Sequence, residues 1–296
     1  MTAHTLETQT SILASYFELL KPRVMALVIF TSACGYFLSP YSLHPFLACI
    51  GILSIALGAG ASGCLNQWFE AETDKIMSRT CNRPIPSGRI HADEALQFGL
   101  GLSVIALLLM QIAIGFWQMV FLAFTIFFYA YVYTVILKPS TDENIVIGGA
   151  AGAFPPMIGY FLSGVIDAYA IALFCVIFFW TPPHFWALSF SLKDDYQKAG
   201  IPIYINTRGV RATTRMMLVY GLLTAATCYV PLYLGNHSKY AYTAITAING
   251  FWVYYLMRLS MHSNKQHAIS VFLYSLIYLF LVFVIYCIDH WWFGTF

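Results

Sequence analysis

Three polar side chains in the segment NQWFEAETDKIMSRTCNRPIP can supply oxygen ligands at a regular spacing. Asn66, Glu70 and Asp74 recur every four residues, so on a helix they lie along one face, one turn apart. Amide and carboxylate oxygens suit a hard cation, and Mg²⁺ is usually held by one or two carboxylates together with phosphate oxygens. The spacing indicates a magnesium site. A solvated helix end with ordinary i,i+4 polar spacing is the alternative.

A second acidic pair follows an apolar run in SFSLKDDYQKAG. Asp194 and Asp195 stand there between Lys193 and Lys198. We expect Asp195 to be a fourth metal ligand and Asp194 to share the catalytic site, because two facing acidic groups repel unless a cation lies between them. The alternative is a frayed helix end, in which Asp194 and Lys198 form an exposed pair that adds a few tenths of a kcal/mol.

Cations follow both acidic groups closely along the chain. Ammonium and guanidinium groups bind phosphate oxygens through charge-assisted hydrogen bonds, so Lys75, Arg79, Arg83 and Lys198 are candidate phosphate ligands. Acids and bases together predict a Mg²⁺–diphosphate site. The apolar, aromatic-rich interior beside it is expected to hold a hydrocarbon attached to that diphosphate.

The elements that must position these groups are membrane helices. The chain has 59% apolar residues, 9% charged residues and a mean hydropathy of +0.71, whereas soluble domains have about 25% charged residues. Runs near the length needed to cross a bilayer predict an all-α protein with nine transmembrane helices. Their predicted ranges are 24–42, 46–68, 95–114, 117–137, 145–163, 169–190, 216–234, 240–257 and 269–288.

The basic residues predict an orientation for these nine helices. With a cytoplasmic N-terminus, every Lys and Arg except Lys239 lies on the cytoplasmic side, as the positive-inside rule requires. The long polar loops 69–94 and 191–215 share that side, so we expect the functional site there. A bacterial inner membrane with a periplasmic C-terminus is the predicted location, and residues 1–20 are a candidate interfacial helix.

Composition also excludes several classes of function. A net charge of +2, spread over short loops, argues against nucleic acid as a partner. The seven cysteines show no C-x-x-C spacing, so neither a disulfide framework nor a zinc site is indicated. Residues 1–20 resemble neither a signal peptide nor a transit peptide.

Two further motifs leave alternatives open. In TPPHFW, Pro182 and Pro183 interrupt the backbone ladder, which membrane helices tolerate beside a cavity. His184 then faces that cavity, or it is a structural histidine. The histidines in predicted loops, including His237, are expected to be solvated. The small residues of GGAAGAFPP, 148–156, indicate close helix packing, with a surface for a planar ligand as the alternative.

Three segments together resemble the intramembrane prenyltransferases of the UbiA superfamily, over about residues 20–290. They are NQWFEAETDKIMSRTCNRPIPSGRI, LKPSTDENIVIGGAAGAFPPMIGY and TPPHFWALSFSLKDDYQKAGIPI, and the last two resemble its heme-modifying branch. The resemblance implies a single domain, 1–296, in which nine helices surround a central cavity open to the cytoplasm. It implies Mg²⁺ as cofactor, with farnesyl diphosphate, heme B and the lipid bilayer as partners, and heme A synthase or a terminal oxidase as assembly partners.

The implied reaction transfers farnesyl to a heme vinyl group, and water addition gives heme O. Asn66 and Asp74 match the first polar motif, in which Glu70 replaces the usual Asp, and Asp194 and Asp195 match the second. The cations assigned to diphosphate are Lys75, Arg79, Arg83, Lys138, Lys193 and Lys198. His184 is assigned to the heme acceptor, where it could bind heme iron, contact a propionate or position water. The alternatives are a quinone-precursor prenyltransferase, a secondary transporter and a heme-binding subunit without chemistry.

Overall fold

The computed structural model describes residues 11–293, and within that range helices are joined by turns and loops with no β-strand. Thirteen α-helices and one π-helical segment follow one another. They are α1 (Ile12–Leu19), α2 (Pro22–Phe37), α3 (Pro45–Phe69), α4 (Ala71–Ile76), α5 (Ala92–Ala113), α6 (Phe116–Phe127), the π segment (Phe128–Leu137), α7 (Lys138–Ser140), α8 (Asn144–Phe161), α9 (Ala168–Lys198), α10 (Tyr204–Thr227), α11 (Tyr229–Leu234), α12 (Lys239–His262) and α13 (Lys265–Phe293).

Six stretches within residues 11–293 are long and apolar enough to cross a bilayer. They are Pro45–Phe69, Ala92–Ala113, Phe116–Ser140, Ala168–Lys198, Val210–Leu234 and Lys265–Phe293. On α5, Leu100, Val104, Leu108 and Ile112 form an exposed row with one residue per turn. Such a continuous apolar face is stable against lipid and costly in water. The chain is therefore a multi-pass membrane protein.

Close helix packing explains much of the small-residue pattern. A Cβ atom on Gly35 would lie 2.0 Å from the carbonyl oxygen of Pro156, and one on Gly159 would lie 2.0 Å from that of Ser32, so α2 and α8 touch backbone to backbone. Within 148–156, Gly148 packs on the ring of Tyr133, where an added Cβ would be 2.2 Å away. The packing interpretation is confirmed there.

The α6 run departs from the regular helix predicted over 117–137. Its second half, Phe128–Leu137, is a π-helix, with a wider turn and i→i+5 hydrogen bonding. Thr134 Oγ1 donates to the carbonyl oxygen of Tyr129 at 2.8 Å, five residues earlier. The segment therefore presents a different face from the one that an α-helical register would give.

A buried polar cluster lies between α9, α12 and α13. His237 Nδ1 contacts Asp289 Oδ2 at 2.9 Å, and its Nε2 contacts the hydroxyl of Tyr169 at 2.9 Å. The expectation that His237 is solvated is wrong, because its side chain is only 1% exposed. Burial lowers the pKa of His237, and Asp289 offsets this only in part. The cluster fastens the loop before α12 to the last helix.

Candidate active site

The first acidic group lies at the junction of two helices and not on one continuous helix. The helix α3 ends at Phe69, and Glu70 joins it to the short α4. The shared face survives this break because the Asp74 amide still donates to the Glu70 carbonyl oxygen, at 2.8 Å. Asn66, Glu70 and Asp74 are all buried.

Asn66 is the centre of a hydrogen-bond network that joins three elements. Its Oδ1 accepts from Lys21 Nζ at 2.5 Å, and its Nδ2 donates to Glu70 Oε1 at 2.9 Å and to Thr134 Oγ1 at 3.0 Å. The ammonium group fixes the amide orientation, because a flipped amide would point its NH₂ group at another donor. A metal at Asn66 Oδ1 would require Lys21 to move.

Each buried carboxylate of this group pairs with a cation. Lys138 Nζ donates to Glu70 Oε1, and Arg83 Nη1 donates to Asp74 Oδ2 at 2.6 Å. Burial by itself would raise the pKa of Glu70, but the positive charges of Lys138 and Lys21 outweigh burial, so the net pKa is lowered. Glu70 is therefore held ionised in a buried place, and Asp74 is buried in direct contact with Arg83.

The second acidic segment meets the loop that follows the first. Ser78 Oγ donates to Asp195 Oδ2 at 2.5 Å, and Met77 packs in a buried cluster with Tyr196 and Ile203. Ser78 lies four residues after Asp74. The two acidic segments are thus at the same end of the bundle.

The remaining predicted phosphate ligands lie at the surface. Lys75 pairs with Glu72 at 2.6 Å, and both side chains are more than half exposed. Arg79, Lys193, Asp194 and Lys198 are also exposed. Among the cations assigned from the sequence, Lys138 and Arg83 are thus those that contact the buried acids.

An apolar cavity opens beside the Asn66 network. Its empty volume, including the open mouth, is about 680 Å³, and its walls come from α2, α3, α6, the π segment and α8. Ser62, Tyr129 and Lys21 line its polar end, while Leu122 and Ile158 line its interior. Gly152 also faces this space, with no neighbouring atom within 4 Å of an added Cβ. The cavity therefore has apolar walls and a charged mouth.

Sequence reasoning used Lys21 only to orient the chain, yet it lies in this mouth. Its Nζ is 3.4 Å from the Tyr129 hydroxyl and 5.7 Å from the centroid of that ring. Burial, followed by the nearby Arg83 charge, lowers the pKa of Lys21 to about 7. The available signal was a lysine directly before the first proline of an apolar helix.

The donor set fits a hard divalent cation bound together with phosphate. Within residues 11–293 no three His, Cys, Asp or Glu side chains converge as a complete metal cage, but Mg²⁺ commonly takes only one or two carboxylates plus phosphate oxygens. The ion pairs of Glu70 and Asp74 use Oε1 and Oδ2. Their other oxygens, with Asp195 beyond Ser78, are the candidate ligands.

His184 does not line this cavity. Its ring stacks between Trp180, at a centroid distance of 4.2 Å, and Phe272, at 4.9 Å. Its Nδ1 lies 2.6 Å from Ser275 Oγ. His184 therefore sits at the α9–α13 contact, with Nε2 as its second polar atom.

The sequence model of the UbiA prenyltransferase family matches residues 27–293. The chain belongs to this family. Curated UbiA relatives include protoheme IX farnesyltransferase 2 of Mesorhizobium japonicum, 46% identical over 93% of this chain and 89% of the relative. Protoheme IX farnesyltransferase of Agrobacterium fabrum is 47% identical over 93% of this chain and 88% of the relative. This UbiA protein is a prenyl-transferring enzyme.

Solved structures show the UbiA fold as well. A structure described as digeranylgeranylglyceryl phosphate synthase matches 95% of this chain and 99% of its own, with a TM-score of 0.78 and 18% identity. A UbiA homolog from Archaeoglobus fulgidus, described as bound to GPP and Mg²⁺, matches 92% of this chain and 99% of its own, with a TM-score of 0.63 and 16% identity. At these identities the likeness establishes the architecture.

Proposed function

We propose that this chain is a protoheme IX farnesyltransferase, which transfers farnesyl from farnesyl diphosphate to a vinyl group of heme B with addition of water, giving heme O. The observation that carries the proposal is the 46–47% identity, over 93% of the chain, to relatives of that name. A quinone-precursor prenyltransferase shares the first half-reaction, but the relatives at 46–47% identity carry the other name. A secondary transporter is not favoured, because the chain belongs to a prenyltransferase family.

The charged mouth of the cavity is the proposed diphosphate site. Glu70, Asp74 and Asp195, with Asn66, are the proposed Mg²⁺ ligands, and Asp194 lies beside them. Bound there, the metal would neutralise charge on the diphosphate leaving group. Lys138 and Arg83 lie at the buried acids and are proposed to contact phosphate, and the exposed Lys75, Arg79, Lys193 and Lys198 would attract the anion from the surface.

The apolar cavity is the proposed site of the prenyl chain. Burying a hydrocarbon against walls such as Leu122 and Ile158 gains about 25 cal/mol for each Å² removed from water. The ring of Tyr129 stands at the mouth, where an electron-rich face can stabilise an allylic cation. Apolar walls also exclude water until the vinyl carbon has attacked.

We infer a nine-helix arrangement in the bacterial inner membrane. All nine predicted segments overlap helices of the fold, including α2, α8 and α12, which fall outside the six long apolar stretches. The distribution of Lys and Arg supports a cytoplasmic N-terminus, a periplasmic C-terminus and a cytoplasmic mouth. In α1, exposed Ile12, Leu13 and Phe17 suit the membrane interface; residues 1–10 lie outside the described range.

His184 is the proposed contact for the heme acceptor, through Nε2. Because Nδ1 contacts Ser275, a neutral ring would keep one tautomer. Its Nε2 would then be the nitrogen that is left to contact heme. Heme titration of purified protein tests this role. His184→Phe keeps the aromatic stack, so an unchanged heme spectrum and affinity in that variant would assign His184 to structure alone.

Product mass is the deciding measurement for the whole proposal. Purified protein in nanodiscs, given heme B, farnesyl diphosphate and Mg²⁺, should yield heme enlarged by one farnesyl group and one hydroxyl group, with the remaining proton of the added water released. Asp74→Asn should abolish the product, and 4-hydroxybenzoate should remain unmodified. Prenylation of 4-hydroxybenzoate with untouched heme would move the protein to the quinone branch. Solute uptake without diphosphate release would favour a transporter. Co-purification with heme A synthase or a terminal oxidase would test the expected assembly partners.

A further inference from the structure

Lys21 has an unusual backbone conformation at the start of α2. Its φ of 56° and ψ of 60° place it in the left-handed region, which is unfavourable for a residue with a Cβ and persists where the surroundings enforce it. Leu20 before it is helical at its own C-cap, and Pro22 begins the next helix. The turn directs the Lys21 side chain into the bundle.

The neighbouring helix makes room for this side chain. A Cβ atom on Gly63 of α3 would lie 3.5 Å from Lys21 Cδ and 3.6 Å from the Leu19 carbonyl oxygen. Those distances are ordinary contact for one methyl group, so a larger side chain at position 63 would displace the lysine. The path of the Lys21 stem is therefore fixed by packing.

The charge of Lys21 differs from that of the other buried cations. Lys138 and Arg83 each form an ion pair with a carboxylate, so their charges are offset directly. The hydrogen-bond partners of Lys21 are neutral, the Asn66 amide and the Tyr129 hydroxyl. Of the residues within 11–293 that line the cavity, Lys21 is also the one that carries a charge. It marks the boundary between the hydrocarbon space and the polar mouth.

We propose that Lys21 is a catalytic residue that binds the diphosphate where it joins the prenyl chain. The proposal rests on the function proposed above. When the bond between C1 and the bridging oxygen breaks, both electrons remain with that oxygen. With Asn66 Oδ1 taken up by the proposed Mg²⁺, the Lys21 ammonium would leave the amide oxygen. It then donates a hydrogen bond to the bridging oxygen and keeps its proton. Its position at the cavity boundary places it nearer to that bond than a cation that pairs with the acids on the polar side.

Three variants test the role of Lys21. Lys21→Met removes the charge with little change in volume, Lys21→Arg keeps the charge, and Arg23→Met is the matched control, because Arg23 is exposed two residues away. Loss of one donor to a developing oxyanion lowers the rate about 10²–10³-fold, so single-turnover product formation should fall by that factor in Lys21→Met. Lys21→Arg should retain more activity than Lys21→Met. Arg23→Met should stay within about twofold of the wild type, because an exposed charge contributes little.

A second readout separates chemistry from folding and from the proposed function. A structure with farnesyl S-thiolodiphosphate, an analogue with sulfur at the bridging position, should place Lys21 Nζ within hydrogen-bond range of that sulfur, about 3.5 Å. A separation too large for contact overturns the proposal even if Lys21→Met fails to fold. An unchanged single-turnover rate in a folded Lys21→Met enzyme would also overturn the proposal. A wild-type enzyme that makes no farnesylated heme refutes the proposed function instead.

Discussion

Ser78 Oγ donates a hydrogen bond to Asp195 Oδ2 at 2.5 Å, and this contact joins the loop after α4 to the end of α9. The two residues are separated by 117 positions in the chain. Because Asp74 lies only four residues before Ser78, the contact brings the two acidic segments to the same end of the bundle. A shared diphosphate site depends on this arrangement.

Ser78→Ala should weaken substrate use modestly. The contact is exposed, so the lost hydrogen bond should cost about 1 kcal/mol, or roughly fivefold in kcat/KM for farnesyl diphosphate. In an Asp195→Asn background the same change should have less effect, which a double-mutant cycle would measure. Ser87→Ala, which removes an exposed hydroxyl bonded to the Arg83 carbonyl oxygen, is the control. If the effects of Ser78→Ala and Asp195→Asn on kcat/KM were fully additive, the contact between the two residues would have no functional role.

Glu70→Ala should destabilise the protein far more than Glu72→Ala. Removal of Glu70 leaves the buried Lys138 ammonium without its carboxylate, and breaking a buried pair in this way costs about 3–5 kcal/mol. Glu72 pairs with Lys75 in water, where such pairs contribute about 0–1 kcal/mol. Unfolding free energies from SDS titration in bicelles would compare the two variants. Equal losses would show that the Glu70 pair is not effectively buried.

Gly152→Leu should block the cavity without disturbing helix packing. No atom lies within 4 Å of an added Cβ at Gly152 or at Gly101, but only Gly152 lines the cavity. Both changes replace a poor helix former with a good one, a gain of about 0.8–1 kcal/mol. Binding of farnesyl diphosphate should fall at least tenfold in Gly152→Leu and stay unchanged in Gly101→Leu. Unchanged binding in both would remove the prenyl chain from this cavity.

Asp142 should make stability depend on acid pH. Its Oδ2 accepts hydrogen bonds from Thr207 Oγ1 at 2.6 Å and Arg208 Nε at 2.8 Å, and Thr207 first, then Arg208, lowers the pKa of this carboxyl group. Because folding lowers this pKa, the ionised carboxylate stabilises the fold at any pH above the pKa that Asp142 has in the unfolded chain. This stabilisation is lost as the pH falls through the pKa that Asp142 has in the folded protein.

The measurement compares melting temperatures of the wild type, Asp142→Asn and Glu143→Gln from neutral pH to pH 3. Asp142→Asn should melt below the wild type at neutral pH, and the difference should close in acid. Glu143 is exposed beside it, and its variant should follow the wild type throughout. A gap between Asp142→Asn and the wild type that persists unchanged in acid would assign the effect to packing.

The sequence predicted the features that depend on composition and local spacing. Apolar runs predicted where helices lie, and six stretches within residues 11–293 are long and apolar enough to cross a bilayer. The interval of four residues predicted a shared face for Asn66 and Glu70, and the two side chains hydrogen-bond at 2.9 Å. The UbiA family was recognised from motifs at these same positions.

The missed features depend on contacts between distant segments. Lys21 looks like an ordinary topology-setting residue until α3 and the π segment bring Asn66 and Tyr129 against it. Burial of His237 requires Asp289, 52 residues away. The boundary between α3 and α4 at Glu70 cannot be predicted from residue spacing. The hydrogen bond from the Asp74 amide to the Glu70 carbonyl oxygen keeps the four-residue interval of a continuous helix.

The π segment has a consequence for how this site can change. Tyr129, Thr134 and Lys138 all reach the Asn66–Glu70 network, although in a regular α-helix residues 129 and 138 would point in roughly opposite directions at about 100° per residue. If the same residues, Phe128–Leu137, wound as a regular α-helix instead, the Lys138 ammonium would turn away from Glu70. The winding of this one helix therefore matters as much as the chemistry of its side chains, and a change that forced α-helical register would separate the polar groups of the mouth while sparing every one of them.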